Sequence, residues 1–150
     1  METSTDSTTW QKVVEVVKEC HHPIVTTSSA AGQPHATWMS AVYSDNLSEI
    51  LTITSPDSLK VRNVKETGNA EWMFTSSSKQ HIVYLSGETE VVDDVVRIKQ
   101  YWDLIPEKQH AFFLGYYNSG IGFAIIRTEV KEIVLCEPRE FRKIQIESPN

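Results

Sequence analysis

From Ile24 onward the chain is cut into short β-branched runs separated by turn signals, and this rhythm restricts it to a fold built mainly of antiparallel strands. The run Ile24-Val25-Thr26-Thr27 lies between Pro23 and the turn Ala31-Gly32-Gln33-Pro34. A second strand is expected from His35 to about Tyr43, and after the loop Ser44-Asp45-Asn46 a third over Glu49–Thr54, the three forming a meander. Strand-like stretches return at Ala70–Thr75 and His81–Val92, joined by Ser76-Ser77-Ser78-Lys79. A last pair is expected at about Ile121–Arg127 and Val130–Cys136.

Three helices interrupt the strands. Thr8 and Gln11 have the spacing of a capping box, and Trp10, Val13, Val14, Val17 and Cys20 recur at helical intervals, which predicts a helix from about Thr9 to Cys20. Ser55-Pro56 sets a cap before a proline at the first helical position, and Gly68 stands where the helix would stop, giving a second helix from about Pro56 to Thr67. Asp93 or Asp94 caps a third, which carries Val96, Ile98, Tyr101, Trp102 and Ile105 and ends at Pro106. Without a repeat or linker, this order belongs to one body spanning residues 9–136, with residues 1–8 as a disordered polar tail and 137–150 as a charged C-terminal tail. Short antiparallel connections favour a small barrel with flanking helices over a doubly wound sheet.

Charge and motif content exclude several functions. The net charge of −6 offers no basic face for phosphate backbones, so no nucleic-acid partner is expected. No run approaches the ~18 apolar residues of a membrane span, and the polar start lacks the pattern of a signal peptide, so cytoplasm is the expected location. Cys20 and Cys136 are too few for a disulfide framework and are read as reduced thiols. His21, His22, His35, His81 and His110 show no metal-binding spacing, and Cys20 beside two histidines is read as a packing residue at a helix end. Gly120 and Gly122 form a lone GxG without strand-to-helix context. Asp93 and Asp94 serve most simply as a cap. Trp38, Trp72, Trp102, Tyr84 and the Phe112-Phe113 pair suit a planar cofactor as well as they suit a core.

The most informative segment is Thr54-Ser55-Pro56-Asp57-Ser58-Leu59-Lys60, which puts hydroxyls and a lysine at a strand end and in a helix's first turn. Free N–H groups and the positive end of the helix dipole stabilise an anion at such a place, with Ser58 and Lys60 adding a hydrogen bond and a charge. The same residues also make an ordinary capped surface helix, and Asp57 already brings negative charge there.

Taken in order, Gly32-Gln33-Pro34-His35, then Ile53-Thr54, then Pro56-Asp57-Ser58-Leu59-Lys60-Val61-Arg62-Asn63-Val64 resembles the pyridoxamine 5′-phosphate oxidase-like flavin-binding split barrels, the general stress protein branch in particular. Ser86-Gly87-Glu88-Thr89-Glu90-Val91-Val92-Asp93-Asp94 and a following helix with Trp102 extend the resemblance over about Val13 to Cys136. It implies a six-stranded antiparallel split β-barrel, a homodimer, and FMN held in clefts between the subunits. Thr54, Ser55, Ser58 and Lys60 then fall at the FMN phosphate. The strand Thr37-Trp38-Met39-Ser40 falls where backbone faces the isoalloxazine ring, and Gln80 where a glutamine contacts the flavin. No side chain need be catalytic, because the flavin carries the redox chemistry. The resemblance therefore implies an FMN-dependent oxidoreductase of unknown substrate and electron donor. A non-enzymatic protein that stores or senses flavin, and a relative holding a deazaflavin or haem, are the alternatives. Leu59 stands where the oxidases proper have arginine, and residues Glu137 to Asn150 lack their substrate-binding arginine and histidine, so pyridoxine 5′-phosphate is not the expected substrate.

Overall fold

The computed structural model describes residues 1–110 and 122–147. Strand β1 (Glu2–Ser4) leads into helix α1 (Ser7–Glu19), followed by β2 (Ile24–Ser28), β3 (Pro34–Trp38), β4 (Val42–Tyr43) and β5 (Glu49–Thr54). Helix α2 (Leu59–Thr67) precedes β6 (Asn69–Thr75) and β7 (Ile82–Val92), and α3 (Val95–Leu104) comes before β8 (Ala124–Glu137) and β9 (Arg142–Ile146). Phe112, Phe113, Gly120 and Ile121 lie outside the described residues.

The sheet is mainly antiparallel, and its neighbours run β1-β9-β8-β7-β6-β2-β3, with β4 and β5 joined through β8. Strand β8 explains the split form. Its first half, from Ala124 to Glu129, pairs with β5, while its second, from Ile133 to Glu137, pairs with β9, and β7 runs beside both. A bulge at Ser86/Gly87 turns the long β7–β8 ladder. Gly87 permits it: a Cβ there would lie 1.8 Å from the Glu129 carbonyl oxygen.

Three apolar clusters fill the body. Val13, Val16 and Val17 of α1 pack with Trp72, Phe74, Val83 and Leu85, and Ile144 and Ile146 of β9 close this main core. Leu51 and Ile53 meet Val92, Ile105 and Ile125 on the other side of β5. Val61 and Val64 seat α2 on Ala124 and Ile126. Inside the barrel, Trp72 Nε1 donates to Thr128 Oγ1 at 3.1 Å, and Thr128 shares a 3.0 Å hydrogen bond with Thr89, so these buried polar atoms are satisfied. Among the described residues no helix is long and apolar enough to cross a membrane.

The sheet has nine strands rather than six, and the departures from the sequence reading have local causes. Asp6, not Thr8, caps α1, because its carboxylate accepts from Thr9 N at 3.0 Å and starts the helix earlier. Helix α2 begins at Leu59 rather than Pro56, since Ser58 takes the cap and leaves residues 55–57 in a turn closed by Ser58 N donating to the Ser55 carbonyl. The strand expected from His35 to Tyr43 is broken after Trp38, and β3 pairs with β2 whereas β4 pairs with β5, so no three-stranded meander forms. The expected last pair is one strand: Thr128 and Glu129 pair with Thr89 and Glu88 and make no turn. Residues 1–8 were expected as a disordered tail, yet Glu2–Ser4 pairs in parallel with β9, and β9 itself lies in the expected C-terminal tail.

Candidate functional site: the N-terminus of the second helix

Thr54 ends β5 opposite Ala124, and the chain turns there into the cap of α2. Ser58 Oγ accepts from Val61 N at 3.4 Å, and Thr54 Oγ1 reaches Ser58 Oγ at 3.5 Å. The N–H groups of Leu59 and Lys60 stand in the first turn, where a helix has no carbonyl for them. Lys60 is only 8% exposed, and among the described residues no carboxylate lies within 4.0 Å of its ammonium. Burial holds its pKa below the usual lysine value. A lysine with its stem buried and no counter-charge, in the first turn of a helix whose leading N–H groups are free, is complementary to a small anion such as a phosphate. Leu59, by contrast, is exposed at the surface.

One turn further on, Asn63 is 1% exposed and donates through Nδ2 to Thr27 Oγ1 at 3.1 Å, while its Oδ1 has no partner. Turning the amide over would leave the nitrogen unpartnered instead, so one end of Asn63 is free to meet a bound group. Ser55 is differently engaged. Its hydroxyl hydrogen-bonds the Asp57 carboxylate, and so holds the one acidic group of the turn beside itself.

The segment after β3 reaches the same place. Thr52 Oγ1 donates to the Ser40 carbonyl at 2.7 Å, and Thr52 and Thr54 share a face of β5 opposite Leu51 and Ile53. Thr37 is half-buried and paired with Val25, and Met39 packs on the main core. Trp38 points the other way and is 74% exposed. It lines an open cleft of about 560 Å³ between the end of α1, β2, β6 and the β6–β7 loop.

Thr54 and Ser58 thus meet at the head of α2, Lys60 follows in its first turn, and Ser40 is tied to the same strand through Thr52. Gln80 does not join them: it is exposed in the β6–β7 loop, where its N–H donates to Ser76 Oγ at 3.2 Å. Cys20, His21 and His22 line the Trp38 cleft, and no group of histidine, cysteine or acidic side chains that could hold a metal occurs among the described residues. Asn63 and Thr52 were missed by sequence reading. Their only signals are spacing, three residues after Lys60 and two before Thr54.

A family model described as "Pyridoxamine 5'-phosphate oxidase like" matches residues 8–114. None of the curated proteins matches the chain. Solved structures share its fold at low identity. A Clostridium acetobutylicum protein related to general stress protein 26 superposes with a TM-score of 0.73 at 18% identity, covering 93% of this chain and 94% of its own. A Nostoc punctiforme protein, described as pyridoxamine 5'-phosphate oxidase-related and FMN binding, gives 0.68 at 11% identity over 100% of both chains. General stress protein 26 from Bacillus anthracis gives 0.64 at 12%, covering 90% of this chain and 96% of its own.

Proposed function

Since this chain belongs to the pyridoxamine 5′-phosphate oxidase-like family, we propose that it is a cytoplasmic flavoprotein which holds FMN at the head of α2 and works as a homodimeric oxidoreductase. The observation that carries this reading is the largely buried Lys60 side chain, without a carboxylate partner among the described residues, in the first turn of a capped helix. In this reading Lys60 supplies charge to the FMN phosphate, Thr54 and Ser58 supply hydroxyls, and the first-turn N–H groups complete the cradle. Ser55 lies at its edge. The backbone of Thr37, Trp38, Met39 and Ser40 flanks the ring, and the free end of the Asn63 amide lies on the same side of α2 as Lys60. Gln80 is left as a contact that the partner subunit's flavin would use. Bound FMN supplies the electron transfer, and the chain supplies position and electrostatics. Exposed Trp38, Val95, Val96 and Leu104 provide apolar surface for a second copy.

Titration of the apo protein with FMN, followed by quenching of flavin fluorescence, tests the assignment. Lys60→Ala is expected to weaken binding about ten- to a hundredfold, the loss of one charge-assisted hydrogen bond. Lys60→Arg should keep part of the affinity, and Lys60→Glu should lose more than alanine. Equal affinity in wild type and Lys60→Ala would refute the phosphate site. Turnover of NADH or NADPH by the loaded protein separates an oxidoreductase from a protein that stores or senses flavin.

A further inference from the structure

Helix α2 is held to the barrel on two sides, and only one of them is apolar. Val61 and Val64 seat it on β8, whereas Asn63 and Glu66, one turn apart, meet the β2–β3 hairpin. Asn63 Nδ2 donates to Thr27 Oγ1 at 3.1 Å in a buried contact, and Glu66 Oε2 accepts from the Ala30 N–H at 2.9 Å at the hairpin's tip. The tip is closed on itself, with Gly32 N donating to the Ser29 carbonyl at 2.9 Å and Ser29 N donating to the Gln33 carbonyl at 3.0 Å.

The sheet leaves this part of the hairpin to α2. Strand β6 pairs with β2 only from Ile24 to Thr26, so Thr27 and the turn beyond it project past their sheet neighbour. Strand β3 has no partner but β2 among the described residues, and its tilt follows that of the hairpin. Two attachments, one in mid-hairpin and one at the tip, fix position and tilt together, where one alone would leave a pivot. The helix dipole disfavours a carboxylate in the last turn, where Glu66 stands exposed, so what Glu66 gains there is the bond to Ala30.

With FMN at the head of α2, the helix takes the phosphate while β3 and the residues after it flank the ring. The bonds from α2 to the hairpin then set the spacing between the ligand's two ends. We propose that, given FMN held in this way, Glu66 is a positioning residue, which acts through the Ala30 N–H to keep β3 at a fixed separation from the phosphate site. A ligand that spans two subsites gains over its separate halves only as far as the subsites keep the matching distance. Loss of the tie therefore falls on the whole ligand and spares its parts.

FMN titration of the full chain tests this, with riboflavin and inorganic phosphate, the two halves of the ligand, measured as competitors. Glu66→Ala should weaken FMN about three- to tenfold and leave riboflavin and inorganic phosphate within about twofold of wild type. Glu66→Gln keeps an oxygen for the Ala30 N–H and should bind FMN as the wild type does. Both variants lose the same charge, and charge alone would act in the opposite direction, since removing a carboxylate from α2 favours a phosphate. Three results would overturn the proposal: unchanged FMN affinity in Glu66→Ala, equal weakening in Glu66→Gln, or a loss of riboflavin or phosphate affinity as large as the loss for FMN. The last would put the effect at one end of the ligand rather than in the spacing. A wild type that binds no FMN, or a Lys60→Ala variant that binds it unchanged, would overturn the FMN reading and this proposal with it, whereas FMN binding that depends on Lys60 and ignores Glu66 overturns this proposal alone.

Discussion

Lys60 sits where burial of its side chain strips away part of its water without supplying a counter-charge among the described residues. Because burial lowers its pKa in the folded chain below the ordinary 10.5, the unfolded chain holds that proton more tightly. The penalty is therefore fully present below the folded pKa, and it is relieved as the pH rises from that value toward 10.5. Lys60→Met should accordingly make the apo protein about 1 kcal/mol more stable at neutral pH and remove this rise, measured as denaturation midpoints against pH. Bound phosphate should reverse the order, with the wild type gaining more from FMN than the variant. Gly87 is constrained by space instead. Gly87→Ala drives a Cβ into the backbone of Glu129, which cannot yield as a side chain would, and should cost roughly 3 kcal/mol or more in urea unfolding. That Thr54, Ser58 and Lys60 stand at the strand end and the head of α2 was legible in the sequence because a cap and a first turn are set by neighbours along the chain. The Asn63–Thr27 bond was not, because it joins residues 36 apart and exists only once α2 has docked on β2.

Elements were legible in type and less so in partners. Helix α2 ends at Gly68, as its sequence suggests, with φ 70° and the Gly68 N–H donating to the Val64 carbonyl. Gly68→Ala meets open space and an ordinary contact with the Thr89 carbonyl, so the expected cost is the left-handed backbone alone, about 1 kcal/mol by thermal or urea unfolding. The alternation in Glu49–Thr54 marks a strand, but nothing in those six residues says that the strand beside it is β8 rather than β3. The pairing changes where the chain crosses at Met39–Ala41, a segment whose Ser40 carbonyl accepts from Thr52 Oγ1. Strand β8 was divided in two by the same limitation. Thr128 and Glu129 are polar and turn-like in isolation, yet Thr128 is fully buried by its bonds to Trp72 and Thr89.

At the scale of the whole molecule, the segment read as a charged tail is part of the core. Ile144 and Ile146 are buried, and Arg142 holds Glu2 of β1 while also approaching the buried carboxylate of Glu137. A chain cut after Glu137 loses both isoleucines, at about 2–5 kcal/mol each, along with the partner of β1, which together rival the whole stability of a domain this size. It should unfold at a far lower urea concentration or without a cooperative transition, whereas a dispensable tail would leave the midpoint in place. The overall barrel was readable because its strand rhythm runs through the sequence, but the closure of its ends was not, since β1 and β9 are short, polar in part and nearly a full chain length apart. That parallel contact also sets an order in time. Residues 2–4 are made well before their sheet partners, residues 144–146, so β1 waits unpaired until β9 has emerged.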